Sequence, residues 1–229
     1  MNIKNFIQRC YRFILRRINI FRPTRMKIYN CILNNGERFD PKLFGKIGSI
    51  DNNHLPRYRF AINYVNKNDD VLDIACGTGY GTEQLATHGK YATGVDMSQE
   101  AINYARKNYS HRNNVQFVLN DFFSNSILAD IVVSFETVEH LERPLVEIFD
   151  KLLNFTKKIL IASVPYKEKD GDNPHHKHFN IDEQSFAFLN DFGKVKFFYQ
   201  DRLGHISDTK QQNNDGEIQN LILLFFKNN

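Results

Sequence analysis

Apolar residues in the middle of the chain fall in short unbroken runs: VLDIA at 71–75, YATGVD at 91–96, VQFVLND at 115–121, IVVSFE at 131–136 and ILIASVP at 159–165. Runs of this length without polar alternation have the pattern of strands buried on both faces. Between them, residues 82–88, 98–108 and 144–154 place apolar positions at helical period. The alternation predicts βαβ units building a parallel sheet. KVKFFYQ (194–200) and LILLFF (221–226), parted by a polar loop, read as added edge strands, one of them antiparallel. The expected fold is α/β, a doubly wound and mostly parallel sheet of about seven strands.

The N-terminal segment follows another rule. Ile3, Phe6, Ile7, Cys10, Phe13, Ile14 and Ile18 lie at helical spacing, Arg9, Arg12 and Arg16 take a different face, and Pro23 closes the pattern. This predicts a basic amphipathic helical extension over 1–30, ahead of one main domain over 31–229. Such a helix either packs on its own domain or a second subunit, or attaches to an anionic membrane surface or a protein partner.

Charge sharpens the contrast. Lys4, Arg9, Arg12, Arg16, Arg17, Arg22, Arg25 and Lys27 share the first 27 positions with no acid, so the formal net charge of +4 belongs to one end and the remainder is net acidic. A nucleic-acid-binding face spread over the domain is therefore not expected, and DNA is an unlikely partner. No stretch approaches the roughly 20 apolar residues of a membrane span. Cys10, Cys31 and Cys76 show neither a disulfide framework nor metal-type spacing, and the arginine-studded N-terminus lacks a secretory signal. A cytoplasmic protein is expected, with any membrane attachment peripheral and at the inner face.

Chemistry is concentrated where VLDIA breaks into CGTGYG. A strand ending near Asp73, then glycines at 77, 79 and 81 and a helix from about Tyr80, brings a ligand against backbone N–H groups. The spacing GxGxG differs from the dinucleotide fingerprint GxGxxG, because Thr82 occupies the place of the last glycine. Asp96 ends the next strand at a position suited to ribose hydroxyls, and Asp121 with Phe122 closes the third, suited to an adenine edge and face. Singly, each acid reads as a strand terminus or helix cap; in series they read as a nucleoside site.

DIACGTGYG, GVD, NDF and SFETVEHL together resemble the motifs of class I S-adenosylmethionine-dependent methyltransferases, over residues 55–165. The resemblance implies S-adenosyl-L-methionine as cofactor. Asp73 and the Gly77 to Gly81 turn would face its methionine part, Asp96 its ribose, and Asp121 with Phe122 its adenine, with Ala75, Gly79 and Met97 also in contact. On this reading the glycines admit the bulky sulfonium nucleoside and Asp73 accepts from its amino group.

The acceptor side is read from three segments. In SFETVEHLERP, Glu136, Glu139 and His140 stand at i, i+3 and i+4, so one helical turn would put them on one face. This ExxEH pattern is similar to that of cation-holding methyltransferases of the ubiquinone pathway and of small-RNA 3′ ends; relatives without a metal also carry EH here. With His176, these residues make a candidate Mg²⁺ or Mn²⁺ site. NPHHKHFN (173–180) is either a solvated loop or a chemical one, and resembles the NPxHxH stretch bordering the acceptor pocket in methyltransferases of bacterial surface-polysaccharide clusters. His176 and His178 match that stretch, and with His140 they are the candidate catalytic groups. HLPRY (54–58) resembles H-x-x-R-Y of the same enzymes, where Arg57 would clamp the cofactor carboxylate; a surface arginine is the plainer reading.

The expected activity is O-methylation of a sugar hydroxyl, phosphate or phosphoramidate group of a surface polysaccharide or its precursor. The alternatives are a metal-dependent O-methyltransferase of a quinone-like phenol or an RNA 3′ end, and a non-catalytic cofactor-binding subunit working through a partner. DNA amino-methylation is not expected, because SFET stands where that family's NPPY-type tetrapeptide would follow the fourth strand.

Overall fold

Val71, Leu72 and Ile74 are all buried, as an unbroken apolar run requires of a strand covered on both faces. They form β1 (Asp70–Ile74) in the computed structural model, which describes residues 38–44, 54–210 and 217–228. The chain divides into two units, Met1–Ser49 and Ile50–Asn229. In the first, Pro41–Phe44 make a single helical turn; the amphipathic helix expected over 3–21 and the boundary expected at 30/31 lie outside the described residues.

In the second unit, α1 (His54–Ile62) precedes β1, followed by α2 (Tyr80–Leu85), β2 (Tyr91–Asp96), α3 (Gln99–Tyr109), β3 (Val115–Leu119) and β4 (Ala129–Phe135). Then come α4 (Leu145–Phe155), β5 (Thr156–Pro165), a 3₁₀ segment (Glu183–Asp191), β6 (Gly193–Asp201), β7 (Ile206–Ser207) and β8 (Ile218–Lys227). The helices start where local chemistry permits. Ser98 caps α3, its Oγ accepting from the Ala101 amide at 3.2 Å, and Pro144 precedes α4, whose Ile148, Phe149, Leu152, Leu153 and Phe155 turn inward. These side chains join Leu72, Leu160, Phe186 and Phe225 in one apolar core.

The strand order is β3-β2-β1-β4-β5-β8-β6-β7. β1 to β5 pair in parallel, so the doubly wound sheet expected from the runs is present. Two details differ. LILLFF is an internal strand, because β8 inserts antiparallel between β5 and β6, and the two-residue β7 adds a further edge. The order reverses between β1 and β4, which opens a crevice at the carboxyl ends of these strands. Among the described residues, no helix is long and apolar enough to cross a membrane.

The glycine turn is shaped as much by packing as by any ligand. Gly79 takes φ +87°, and a Cβ there would lie 2.6 Å from that of Ala105 and from the Phe117 ring. At Gly81 a Cβ would sit 1.9 Å from the Tyr58 ring. Packing alone therefore requires glycine at 79 and 81, where the missing side chains admit α3, β3 and α1. Gly81→Ala is expected to lower stability by about 1–3 kcal/mol through overpacking, read as a lower urea midpoint; an unchanged midpoint would contradict the close approach.

Candidate active site

The carboxyl edge of the sheet gathers the predicted acids. Asp73 is 1% exposed, and its carboxylate accepts from Thr82 Oγ1 at 2.6 Å and from the Tyr58 hydroxyl at 3.3 Å. Burial raises its pKa to about 7 against the pull of those hydrogen bonds, with the Asp96 charge adding to the rise. Asp96 ends β2, and its carboxylate accepts the Gly77 amide at 2.9 Å and the Ser98 amide at 2.8 Å. That pair of bonds ties the tip of β2 to the glycine turn. Ala75 (φ 59°) and Gly77 (φ 54°) are left-handed, at no cost for the glycine but for Ala75 a backbone strain of the kind that collects at ligand sites, and Ala75 and Met97 are exposed beside them.

The adenine end departs from expectation. β3 stops at Leu119, so Asp121 lies beyond the strand, exposed, with its carboxylate accepting the Phe123 and Ser124 amides at 2.9 and 3.3 Å. Phe122 turns into the core, edge-on to Phe123 and Phe155, so its ring packs the interior and is not placed to face a purine.

The ExxEH segment does not form one helical face. Glu136 adopts φ 50° directly after β4, and only Val138–His140 form a 3₁₀ turn. Arg57, 2% exposed, ion-pairs with Glu136 at 2.5 Å and donates to Ser163 Oγ at 3.1 Å; Ser163 Oγ and Asn220 Nδ2 donate to the same carboxylate at 2.8 and 2.9 Å. Burial alone would raise the pKa of Glu136, but Arg57, then His54, and the hydrogen bonds hold it below the usual range. Burial and the neighbouring Arg57 push His54 down to about 3. Two expectations change as a result: Arg57 is committed to Glu136 rather than presented as a cofactor clamp, and Glu136 is withdrawn from the metal set.

The remaining three candidate ligands do converge. Ligand atoms of Glu139, His140 and His176 all lie within 4.8 Å of one another. The loop after β5 is sewn to the ExxEH turn by backbone bonds from Lys177 and His178 to the Glu139 carbonyl, at 2.6 and 3.4 Å. Glu139 is fully buried, neither carboxylate oxygen has a hydrogen-bond partner, and burial followed by the Glu136 charge pushes its pKa well up. An orphaned carboxylate beside two imidazoles is the donor set a divalent cation takes. His140 packs edge-on to His176 with ring centres 4.7 Å apart. His178, by contrast, donates from Nε2 to the Leu141 carbonyl at 3.0 Å and braces the loop.

Residues 71–158 match the family model described as a methyltransferase domain. That stretch is thus a methyltransferase domain, and the fold around it is the one class I methyltransferases share. The domain is similar to a probable cobalt-precorrin-6B C(15)-methyltransferase (decarboxylating) of Methanobrevibacter smithii, 33% identical over 107 residues, 44% of this chain and 56% of that one. It is also similar to a ubiquinone biosynthesis O-methyltransferase of Coxiella burnetii, 34% identical over 82 residues, 34% of this chain and 35% of the relative. The chain thus spans less than two thirds of either relative. In fold it is like the N-methyltransferase NodS of Bradyrhizobium japonicum WM9 in complex with S-adenosyl-L-homocysteine, with a TM-score of 0.62 and 18% identity over 88% of this chain and 99% of that one.

The cofactor of the methyltransferase domain is S-adenosyl-L-methionine, and the tips of β1 and β2 fit it. Carboxylate acceptors at Asp73 and Asp96 flank a turn whose Ala75 and Met97 remain open, a donor–acceptor complement to an amino group and a ribose diol. Sequence reasoning missed Thr82, Ser163, Asn220 and Glu168. The signal for Ser163 and Asn220 was a polar side chain within or beside an apolar strand run; Glu168, in KEKDGDN, carries no such mark.

A folded pKa near 7 against 3.8 for the free carboxyl makes Asp73 a pH-dependent liability. Between these values the unfolded chain loses the proton that the folded one keeps, so stability falls as pH rises from about 4 to about 7, by about 1.4 kcal/mol per pH unit. Asp73→Asn retains the shape and removes the charge. The difference in urea-unfolding stability between the native protein and this variant is expected to show that fall, and a flat difference across this range would contradict it.

Proposed function

We propose that the protein is an O-methyltransferase acting on a neutral hydroxyl, with a divalent cation held by Glu139, His140 and His176 beside the acceptor oxygen. The single observation that carries this reading is the buried Glu139 carboxylate without a partner, next to the two imidazoles. When bound, the cation would supply positive charge that lowers the cost of removing the hydroxyl proton. The domain's own part is alignment: Asp73, Asp96 and the glycine turn hold the methyl donor, and the ExxEH turn and histidine loop hold the acceptor in line with it.

The same geometry bears on the acceptor class. Arg57, the candidate to hold a phosphate or phosphoramidate, is buried against Glu136, and Glu136 and Glu168 each act electrostatically on Glu139. With that guanidinium engaged, a neutral alcohol is the acceptor this reading favours. The NPHHKH resemblance supports a sugar hydroxyl of a surface polysaccharide or its precursor, and the basic residues from Lys4 to Lys27 support attachment to the inner membrane face or to a partner protein, where such precursors are handled. A second reading, in which His176 is the general base without a cation, is favoured by the contact of its Nε2 with the Asn173 amide at 2.9 Å, which marks that nitrogen as an acceptor.

Glu139→Gln is expected to weaken Mn²⁺ binding on the order of 100-fold and to lower radiolabelled methyl transfer into capsule precursor extracts in parallel, with cofactor affinity retained. Full turnover of the native protein in excess chelator would remove the cation and leave His176 as the base.

A further inference from the structure

Glu168 lies in the loop after β5 and reaches the functional cluster through one contact: its Oε2 meets Nδ1 of His176. The side chains are 19% and 8% exposed, so the contact is shielded from water. A carboxylate can only accept, which places the imidazole proton on Nδ1 and the lone pair on Nε2. The other side of the ring agrees, because Asn173 Nδ2, a donor, sits 2.9 Å from Nε2. His140 is set the same way by a different partner: its Nδ1 faces the His175 carbonyl at 3.3 Å, which also can only accept. Both rings therefore carry their lone pairs on Nε2. Free imidazole has no such fixed choice, and a carboxylate or carbonyl behind the ring is how proteins impose one on a metal-binding or basic histidine.

We propose that Glu168 is the positioning residue of this centre, holding His176 in the Nδ1–H tautomer so that Nε2 is the nitrogen that works. The proposal rests on the reading that His176 acts through Nε2, and it serves either form of that reading, cation ligand or base. A neutral ring without this partner can move its proton to Nε2, where it would block either use. Asn173, whose amide donates into the same lone pair, gives way when a cation or an acceptor hydroxyl arrives.

The test is nitrogen-detected NMR of the full chain carrying ¹⁵N-labelled histidine, at a pH where the rings are neutral, with His176 assigned by its absence in His176→Ala. The native protein is expected to show His176 as the Nδ1–H tautomer, Glu168→Ala to shift it towards Nε2–H, and Glu168→Gln, whose carbonyl still accepts, to keep it. Mn²⁺ affinity is expected to drop about 10–100-fold in Glu168→Ala and to recover to within a few-fold in Glu168→Gln. An Nε2–H tautomer in the native protein, or Glu168→Ala with native tautomer and native Mn²⁺ affinity, would overturn the proposal, and the first outcome needs no substitution at Glu168. If the native protein takes up no Mn²⁺, the cation reading of the site fails, while the tautomer comparison still decides the role of Glu168.

Discussion

Removing a carboxylate from water is costly unless something answers its charge, and the carboxyl edge of this sheet does so for Asp73, Asp96, Glu136 and Glu139 in different ways. Asp73 is answered by hydroxyls from Thr82 and Tyr58 and by a proton held to about pH 7. Asp96 is answered by backbone amides, and Glu136 by Arg57, Ser163 and Asn220. Glu139 alone of these is buried with neither oxygen bonded. The site follows from that inequality: the satisfied carboxylates build the frame, and the unsatisfied one marks where positive charge is wanted.

The Arg57–Glu136 pair also explains why the ExxEH pattern does not behave as a helix. Drawing Glu136 towards Arg57 takes its backbone into the left-handed region, so the helical turn begins only at Val138. One carboxylate is spent on joining α1 to the tips of β4, β5 and β8, through Arg57, Ser163 and Asn220. A ligand set read from i, i+3, i+4 spacing is thereby split, and the two members left are joined by His176 from the loop after the neighbouring strand β5.

The fold was legible because its signal is periodic and local: apolar runs gave β1 to β5, and the segments between them gave α2, α3 and α4 to within a few residues. The position of β8 was not, since strand composition does not encode which neighbour a strand chooses. At the site, the placing of Asp73 and Asp96 was readable from motif spacing, whereas Glu139, His140 and His176 were grouped by the resemblance of two separate segments and not by one helical face. Phe122 was misplaced because an aromatic after an acid looks the same whether it faces a ligand or fills the core, as it does here against Phe155. That the glycines at 79 and 81 also admit Phe117 and Tyr58 was not readable, a fact that lives in tertiary contact alone.

The reversed strand between β5 and β6 constrains how the polypeptide reaches its final form during synthesis. β6 leaves the ribosome before β8 exists, yet its sheet partners are β8 and the two-residue β7. Until residues 218–227 emerge, the growing sheet must end at β5 with an unsatisfied edge, and the β6 hairpin must wait unattached. A nascent chain arrested short of that point would already hold the tips of β1 and β2 but would lack Asn220, and so would expose a sticky margin that invites chaperone capture or pairing with a neighbouring copy.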